Sequence, residues 1–371
     1  MNPDDLKKHI HDFWDSEIVP TLVDYIKIPN KSPSFDPDWE KHGHMEKVLN
    51  LASDWTEKNK PLGSEMIIKK SPGRTPLLLL DIPGTREGNI LMYGHLDKQP
   101  EMEGWKDNLG PWKPVIKDEK LYGLGSNDAG ISLCCLIMVF VHFYDKDDLN
   151  FNLILLASAE EEKSGNNGIK SVIPKLPKID LAIIGEPTKM DIAIAEKGLI
   201  VFDLIVKGKS SHAAHHNDEN PIYKASKIVE QISKIKFPKK SKTLGDVKLT
   251  VTQINAGVQH NVVPSEVNIV LDARINDMYS NSEVFSHLKN KLDCDVIPRN
   301  LNLNPSSIPE NHHIIKAADN LGFKKYGSPT LSDQAKINIK SIKLGPGDSL
   351  RSHTADEFIY LSDINDGINK Y

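Results

Sequence analysis

Cysteine is scarce in this chain, with three residues among 371. Cys134 and Cys135 are adjacent and Cys294 stands alone, so the sequence contains no Cys-x-x-Cys redox pair. The adjacent pair is better explained as two small hydrophobic residues of a buried segment. This scarcity argues against a disulfide framework and predicts a reducing, cytoplasmic setting.

Long apolar runs and excess charge are absent too. No run is long enough to span a bilayer, and residues 1–8 lack the apolar core that a secretion signal carries. The net charge is −5, and the hydrophobic and charged fractions of 39% and 26% are those of ordinary globular proteins. We therefore expect neither nucleic acid nor a membrane as the main partner.

Common catalytic motifs are missing as well. Gly-x-Ser-x-Gly, which is typical of α/β-hydrolase serine enzymes, does not occur, and neither does a Walker A sequence. The pair Gly123-x-Gly125 lacks the third glycine of a dinucleotide-binding fingerprint. The sequence also shows no internal repeat and no low-complexity tract.

Short apolar runs that alternate with helical patterns predict an α/β fold with a central, mostly parallel sheet. Strands are predicted near 64–70, 77–82, 89–94, 151–157, 181–184 and 341–344. Helices are predicted over 4–27, 44–59, 131–144, 309–321 and from 362 onward. The loop 97–120 is rich in proline, glycine and tryptophan, and loops of this length are usually functional.

Residues 196–305 follow a different plan. Their order of strand, helix, strand, strand, helix and strand is that of a ferredoxin-like α+β domain. The predicted elements are 199–206, 221–235, 246–254, 267–275, 283–292 and 293–299. We predict that this domain is inserted between two parts of a larger domain, 1–195 and 306–371.

Acidic residues and histidines stand where the predicted strands end or helices begin. They are His95, Asp97, Asp128, Glu161, Glu162, Glu186 and His353. Each has an ordinary explanation on its own: a surface hydrogen bond for His95 with Asp97, a helix cap for Asp128, and a solvated charged run for the glutamates. Because sites in open α/β sheets form at the carboxyl ends of strands, we expect the set to gather.

Gathered in one place, these residues are suited to binding metal. Two imidazoles and three carboxylates, one of them bridging, are enough to hold two divalent ions. Mixed nitrogen and oxygen ligands suit zinc, with cobalt or manganese as alternatives. Glu161 stands beside a predicted ligand and is the expected general base, which predicts amide hydrolysis.

The motifs Gly94-His-x-Asp97, Ser126-Asn-Asp-Ala129, Glu161-Glu162, Gly185-Glu-Pro187 and Ser352-His353 resemble those of the M20 family of dizinc metallopeptidases and deacylases. The resemblance covers essentially the whole chain and implies a zinc-exopeptidase-like catalytic domain. It implies that His95 and Glu186 bind one metal ion, that Glu162 and His353 bind the other, and that Asp128 bridges them. It further implies that Asp97 orients His95 and that Glu161 is the base.

For the inserted domain, the resemblance implies a lid that also forms a homodimer. His212 matches the histidine that family members present to the neighbouring subunit's site as an oxyanion stabiliser. Asn261 and Arg274 match residues that hold the substrate carboxylate. Without the resemblance, all three would be assigned to the ordinary surface.

Two branches of the family are represented. Residues 95–112 resemble carnosine dipeptidases, whereas the chain from Leu121 onward and the short lid resemble acetylornithine and acetylcitrulline deacetylases. We therefore expect a deacylase that cleaves an N-acyl amino acid, with a dipeptidase as the alternative and an inactive metal-stabilised scaffold as a third hypothesis. The sequence departs from the family at Asn127-Asp128-Ala129, which keeps the ligand but loses a neighbouring group.

Overall fold

The computed structural model describes residues 13–85, 87–128, 149–162 and 167–371. The strands, β1 to β18, are Glu65–Ser71, Arg74–Ile82, Asn89–His95, Val115–Lys117, Lys120–Tyr122, Asn152–Ser158, Leu181–Gly185, Ile192–Glu196, Gly198–Lys207, Ser211–His212, Lys248–Ala256, Val262–Val263, Glu266–Ile275, Asp295–Pro298, Ser306–Ser307, Lys325–Ser328, Ser341–Leu344 and Phe358–Tyr360. The α-helices, α1 to α8, are Val19–Lys27, Trp39–His42, His44–Asn59, Ile169–Val172, Pro221–Lys234, Asn281–Lys291, His313–Asn320 and Leu361–Lys370. The predicted helix 131–144, with Cys134 and Cys135, lies outside the described residues.

The chain divides into two compact units. Unit 1 contains the described part of Met1–Ala193 together with Pro309–Lys325 and Ser332–Tyr371. Unit 2 contains Ile194–Ile308 and Tyr326–Leu331. No helix among the described residues is both long and apolar enough to cross a membrane.

The main sheet of unit 1 has the strand order β1-β2-β6-β3-β7-β17, followed by β8. Its four middle strands, β6, β3, β7 and β17, run parallel. The pairs β1–β2, β2–β6 and β17–β8 are antiparallel. The sheet is therefore mixed rather than mostly parallel, and its parallel centre is flanked by antiparallel strands.

Both faces of this sheet are buried. Leu78, Leu80 and Leu155 belong to one core, into which helices α1, α3 and α8 also pack. Leu79 and Leu156 belong to a second core on the other face. Because both faces are covered, these strands appear in the sequence as continuous apolar runs instead of alternating patterns.

Unit 2 contains an antiparallel sheet with the order β11-β13-β9-β14. In chain order these strands are the second, third, first and fourth, which is the ferredoxin-like arrangement. Helices α5 and α6 cover one face, where alternate residues of β9 and β13 are buried with them. The predicted ferredoxin-like plan is confirmed.

Most predicted elements are present within a few residues, and helix α3 has the predicted bounds 44–59. The predicted loop 97–120 is partly wrong because β4 and β5 form a hairpin in its second half. Its two turn residues, Asp118 and Glu119, have φ angles of +52° and +57°. Two positive φ angles in a two-residue turn usually require Asn-Gly or Asp-Gly, so an Asp-Glu pair does not predict this turn.

Candidate metal centre

The parallel centre of the sheet brings the predicted ligands to one edge. His95 is the last residue of β3, Glu161 and Glu162 follow β6, and Glu186 follows β7. His353 lies in the loop after β17. Because these four strands are parallel, their carboxyl ends lie along the same edge of the sheet.

The side chain of His95 is buried, and Asp97 contacts its ring nitrogen Nδ1. Its Nδ1 lies 3.2 Å from the backbone carbonyl oxygen of Asp97 and 3.5 Å from the Asp97 carboxylate. A proton on Nδ1 directs the lone pair of Nε2 towards Asp128 and Glu161, which lie 3.8 Å and 3.9 Å away. Burial lowers the pKa of His95, but the nearby carboxylates of Asp128, Asp97 and Glu161 outweigh burial and raise it well above the ordinary value.

Asp97 contacts more than the histidine. Its carboxylate accepts the backbone N–H of Glu161 at 3.0 Å and that of Glu162 at 3.1 Å, and it also accepts the hydroxyl of Ser32. Burial opposes ionisation, but the hydrogen bond to His95 and those from the backbone lower the pKa of Asp97. Asp97 thus fixes the loop after β6 as well as the ring of His95.

Asp128 lies between the two histidines. Its Oδ1 faces His95 Nε2 at 3.8 Å, and its Oδ2 faces His353 Nε2 at 3.1 Å. Hydrogen bonds to His353 and His95 overcome the effect of burial and hold the pKa of Asp128 well below its usual value. One oxygen directed to each imidazole is the geometry that a bridging carboxylate needs.

The buried side chain of Glu357 holds the loop that contains Asp128. Glu357 Oε1 accepts the backbone N–H groups of Gly125, Asn127 and Asp128 at 3.0, 2.9 and 3.2 Å. The pairing of β5 with β18 brings Glu357 to this position, because Phe358 stands opposite Tyr122. Burial raises the pKa of Glu357 to about 8. Glu357 was not predicted as a site residue, although it stands only four positions after His353.

The three glutamates at the site are crowded and poorly solvated. Burial raises the pKa of Glu161 well above its ordinary value, and the negative charges of Glu186 and Glu162 add to the effect. Burial also raises the pKa of Glu162, and it raises that of Glu186 to about 8. Glu186 Oε1 has no hydrogen-bond partner within the described part of the chain. Buried carboxylates in such proximity need cations.

Two groups of side chains have the spacing that a metal ion requires. His95, Glu161 and Glu186 form one group, and Asp128, Glu162 and His353 form the other. Within each group the potential ligand atoms all lie within 4.8 Å of one another. The imidazole and carboxylate donors suit zinc, cobalt or manganese, and the buried oxygen of Glu186 without a hydrogen-bond partner is suited to binding a cation. The residues therefore fit a pair of divalent ions.

Gln99 was not singled out from the sequence but contacts the site. Its Nε2 donates to Glu162 Oε2 at 2.6 Å. His353 Nε2 lies 3.3 Å from the same oxygen. Gln99 belongs to the first part of the loop 97–113, so this loop reaches one of the predicted ligands.

The other three predicted residues belong to unit 2. His212 pairs with Val262 between β10 and β12, and the Ala213 N–H donates to the Asn261 carbonyl at 2.9 Å. Arg274 forms a bidentate ion pair with Asp272, at 2.9 and 3.2 Å. His212 and Asn261 are exposed neighbours, whereas Arg274 lies near the far end of β13, roughly 27 Å from the first residue of that strand, Glu266, at the usual rise of a strand.

The sequence profile described as peptidase family M20/M25/M40 matches residues 91–371 of this chain. The chain belongs to this family. The predicted resemblance to the M20 family is therefore confirmed.

Curated relatives of this M20 chain include enzymes that remove succinyl groups. It is 30% identical over 224 residues to the succinyl-diaminopimelate desuccinylase of Pelagibacter ubique, covering 57% of each chain. It is 26% identical over 367 residues to the desuccinylase of Helicobacter hepaticus, covering 90% of this chain and 91% of the relative. In the first match and others like it, the chain spans little more than half of the relative's length.

Solved M20 structures share the fold. Human carnosine dipeptidase 1 matches with a TM-score of 0.72 and 17% identity, covering 99% of this chain and 96% of that one. A Bacillus subtilis protein described as a dinuclear metal-binding M20 peptidase matches with a TM-score of 0.64 and 14% identity, covering 96% and 95%. These similarities confirm the predicted α/β fold.

Proposed function

We propose that this M20 hydrolase uses two divalent metal ions to cleave the amide bond of an N-acyl amino acid. The observation that carries the proposal is the position of Glu161, whose carboxylate lies within one group of ligands and 3.9 Å from His95 Nε2. A group that can exchange protons beside a metal centre is what amide hydrolysis requires. An inactive scaffold has no need of this group.

The proposed ligands combine the two groups of side chains with the roles that the family resemblance implies. His95 and Glu186 would hold one ion, Glu162 and His353 would hold the other, and Asp128 would be shared between them. Zinc is the expected metal, with cobalt or manganese as alternatives. Asp97 orients His95 and holds the backbone of Glu161 and Glu162 in place.

Two adjacent divalent ions polarise a carbonyl group and make water more acidic. Glu161 accepts a proton from the attacking water and then donates it to the leaving amine as the carbon–nitrogen bond breaks. The charges of two adjacent cations would keep Glu161 ionised until it accepts the proton.

The choice of substrate rests on sequence similarity. The region from Leu121 onward resembles acetylornithine and acetylcitrulline deacetylases, and the curated relatives are named as succinyl-diaminopimelate desuccinylases. Both kinds of enzyme remove an acyl group from an amino acid nitrogen. We propose an acetylated amino acid of the ornithine or citrulline type, and a succinylated one is the first competitor to test.

The loop 97–113 favours a dipeptide as the second candidate substrate. Lys106 pairs with Asp356 at 3.0 Å, which ties the loop to the turn after His353. Trp112 donates to Glu101 at 3.1 Å, and Lys31 pairs with Glu101 at the same distance. An ordered, tryptophan-containing loop beside the ligands can contact the amine side of a substrate, as expected from its resemblance to carnosine dipeptidases.

We further propose that unit 2 serves as the lid and forms a homodimer. Its edge strand β11 is exposed over residues 252–256, and Ile254 is 56% exposed. An exposed edge strand is a ready template for pairing with a second copy. In the dimer, His212 would stabilise the oxyanion in the partner's site. Asn261 and Arg274 would bind the substrate carboxylate. Arg274 would leave its ion pair with Asp272 to do so.

Hydrolysis assays on three substrate panels test the proposal: N-acetyl amino acids, succinyl-diaminopimelate and unblocked dipeptides. The protein is loaded with zinc or cobalt, and a chelated sample is the control. Turnover of acetylornithine or acetylcitrulline supports the acetyl assignment. Turnover of the succinylated compound alone would mean that the acyl group is succinyl and not acetyl. Turnover of dipeptides alone would contradict the proposed deacylase activity. No turnover with metal bound would favour the scaffold.

A further inference from the structure

Asn127 joins the two loops that carry Asp128 and His353. Its Oδ1 accepts the backbone N–H of Asp348 at 3.0 Å. Its Nδ2 donates to the Asp348 carbonyl at 2.9 Å and to Ser352 Oγ at 3.0 Å. The side chain is almost fully buried, so these contacts are shielded from competition with water.

An amide side chain is required for this set of contacts. Aspartate has no donor at neutral pH, so one of its oxygens would face the Asp348 carbonyl without a proton between them. Alanine would leave the Asp348 N–H without this partner. Gly347 shows how closely the two loops approach, because its φ angle is +79° and an added Cβ would lie 2.6 Å from Asn127 Oδ1.

The contacts lie one position from each of two proposed ligands. Asn127 precedes Asp128, and Ser352 precedes His353, so the Asn127–Ser352 hydrogen bond sets the spacing between the two loops. At that spacing Asp128 Oδ2 lies 3.1 Å from His353 Nε2. Residues that hold metal ligands in place commonly affect metal affinity almost as much as the ligands themselves.

We propose that Asn127 is a positioning residue for the metal ion bound by Asp128, Glu162 and His353. The inference rests on the proposed function, since it assumes that this group binds an ion.

Direct metal binding tests this inference independently of activity. Metal-free wild-type protein and the N127D variant are titrated with Zn²⁺ by calorimetry and with Co²⁺ by absorption spectroscopy. The wild type should bind two ions. In N127D the second ion should bind roughly 10- to 100-fold more weakly, with an altered Co²⁺ spectrum, and the first ion, which shares only Asp128 with it, should lose less affinity.

N89D is the matched control. Asn89 begins β3, at the opposite end from His95, and its Nδ2 donates to the Lys178 carbonyl at 2.8 Å. This variant makes the same chemical change away from the ligands and should bind both ions as the wild type does. If N127D binds both ions with wild-type affinity, the inference is overturned. If the wild type itself binds no ion, the proposed function fails instead.

A second variant applies if N127D does not fold. S352A removes one of the three side-chain hydrogen bonds of Asn127 and leaves every proposed ligand in place. S352A should lower the affinity for the second ion less than N127D does, and it should leave the affinity for the first ion unchanged. Wild-type affinity for both ions in S352A would then overturn the inference.

Discussion

The carboxylate of Asp97 accepts the backbone N–H of Glu161, with distances of 3.0 Å to Oδ1 and 3.1 Å to Oδ2. The same carboxylate lies 3.5 Å from His95 Nδ1. One buried side chain therefore fixes both the proposed base and a proposed ligand. Its contribution should exceed that of a residue that only orients a histidine.

Replacing Asp97 with asparagine should slow turnover about 10- to 100-fold, because an amide nitrogen cannot accept the N–H groups that the carboxylate accepts. Steady-state kinetics with acetylornithine, together with the metal content of the purified protein, would measure the effect. S32A, which removes only the hydroxyl bound to Asp97, should lose less activity. Wild-type turnover in D97N would mean that Asp97 does not position the base.

Replacing Glu161 with glutamine should reduce turnover about 100-fold or more, since glutamine keeps the size of the side chain but cannot accept a proton. Bound metal should stay near the wild-type content. E160Q is the matched control, because Glu160 instead contacts Thr75 at 3.3 Å and the Asn167 N–H at 3.2 Å. If E161Q retained most of the activity, Glu161 could not be the base.

Metal binding at pH 7 should release protons. The pKa of His353 is raised to about 11 and that of Glu186 to about 8. At pH 7 without bound metal, His353 is therefore an imidazolium cation and Glu186 is a neutral carboxylic acid. A bound ion requires the deprotonated forms. Calorimetric titrations in two buffers of different ionisation enthalpy would count the protons. The number should fall as the pH rises through 8, since Glu186 is then already ionised; binding without proton release would contradict the assignment.

Mixing two inactive variants should restore activity if sites are completed across a dimer. After subunit exchange, an H212A chain can use His212 of an E161A chain, and its own Glu161 is intact. The measurement is turnover in the mixture, with exchange verified by tagged subunits. E161A mixed with the double variant E161A/H212A is the control and should stay inactive. No recovery in the first mixture would rule out shared sites.

Much of the sheet edge that carries the proposed ligands could be predicted from the sequence, because each of these residues stands next to a recognisable strand pattern. His95, Glu161 and Glu186 each follow a short apolar run, and parallel strands bring such positions together. The antiparallel edges of the sheet were not predictable in this way, because buried strands look alike in sequence whichever direction they run.

Contacts between distant segments could not be predicted. Glu357 holds the Asp128 loop through the pairing of β5 with β18, and Asn127 holds Asp348 across more than two hundred positions of sequence. No periodicity or local motif encodes such a contact. The same holds for Asp97, whose place beside His95 was predicted but whose hydrogen bonds to the loop after β6 were not.

The separation of the proposed ligands along the chain has a consequence for shortened chains. His95, Asp128 and Glu186, the ligands proposed for the first ion, all precede β8, whereas the second ion also needs His353 near the C-terminal end. A chain that ended before His353 would keep every ligand of the first ion and lose one ligand of the second. Since Asp128 would contribute to both sites, the second ion would connect segments that lie far apart in the sequence.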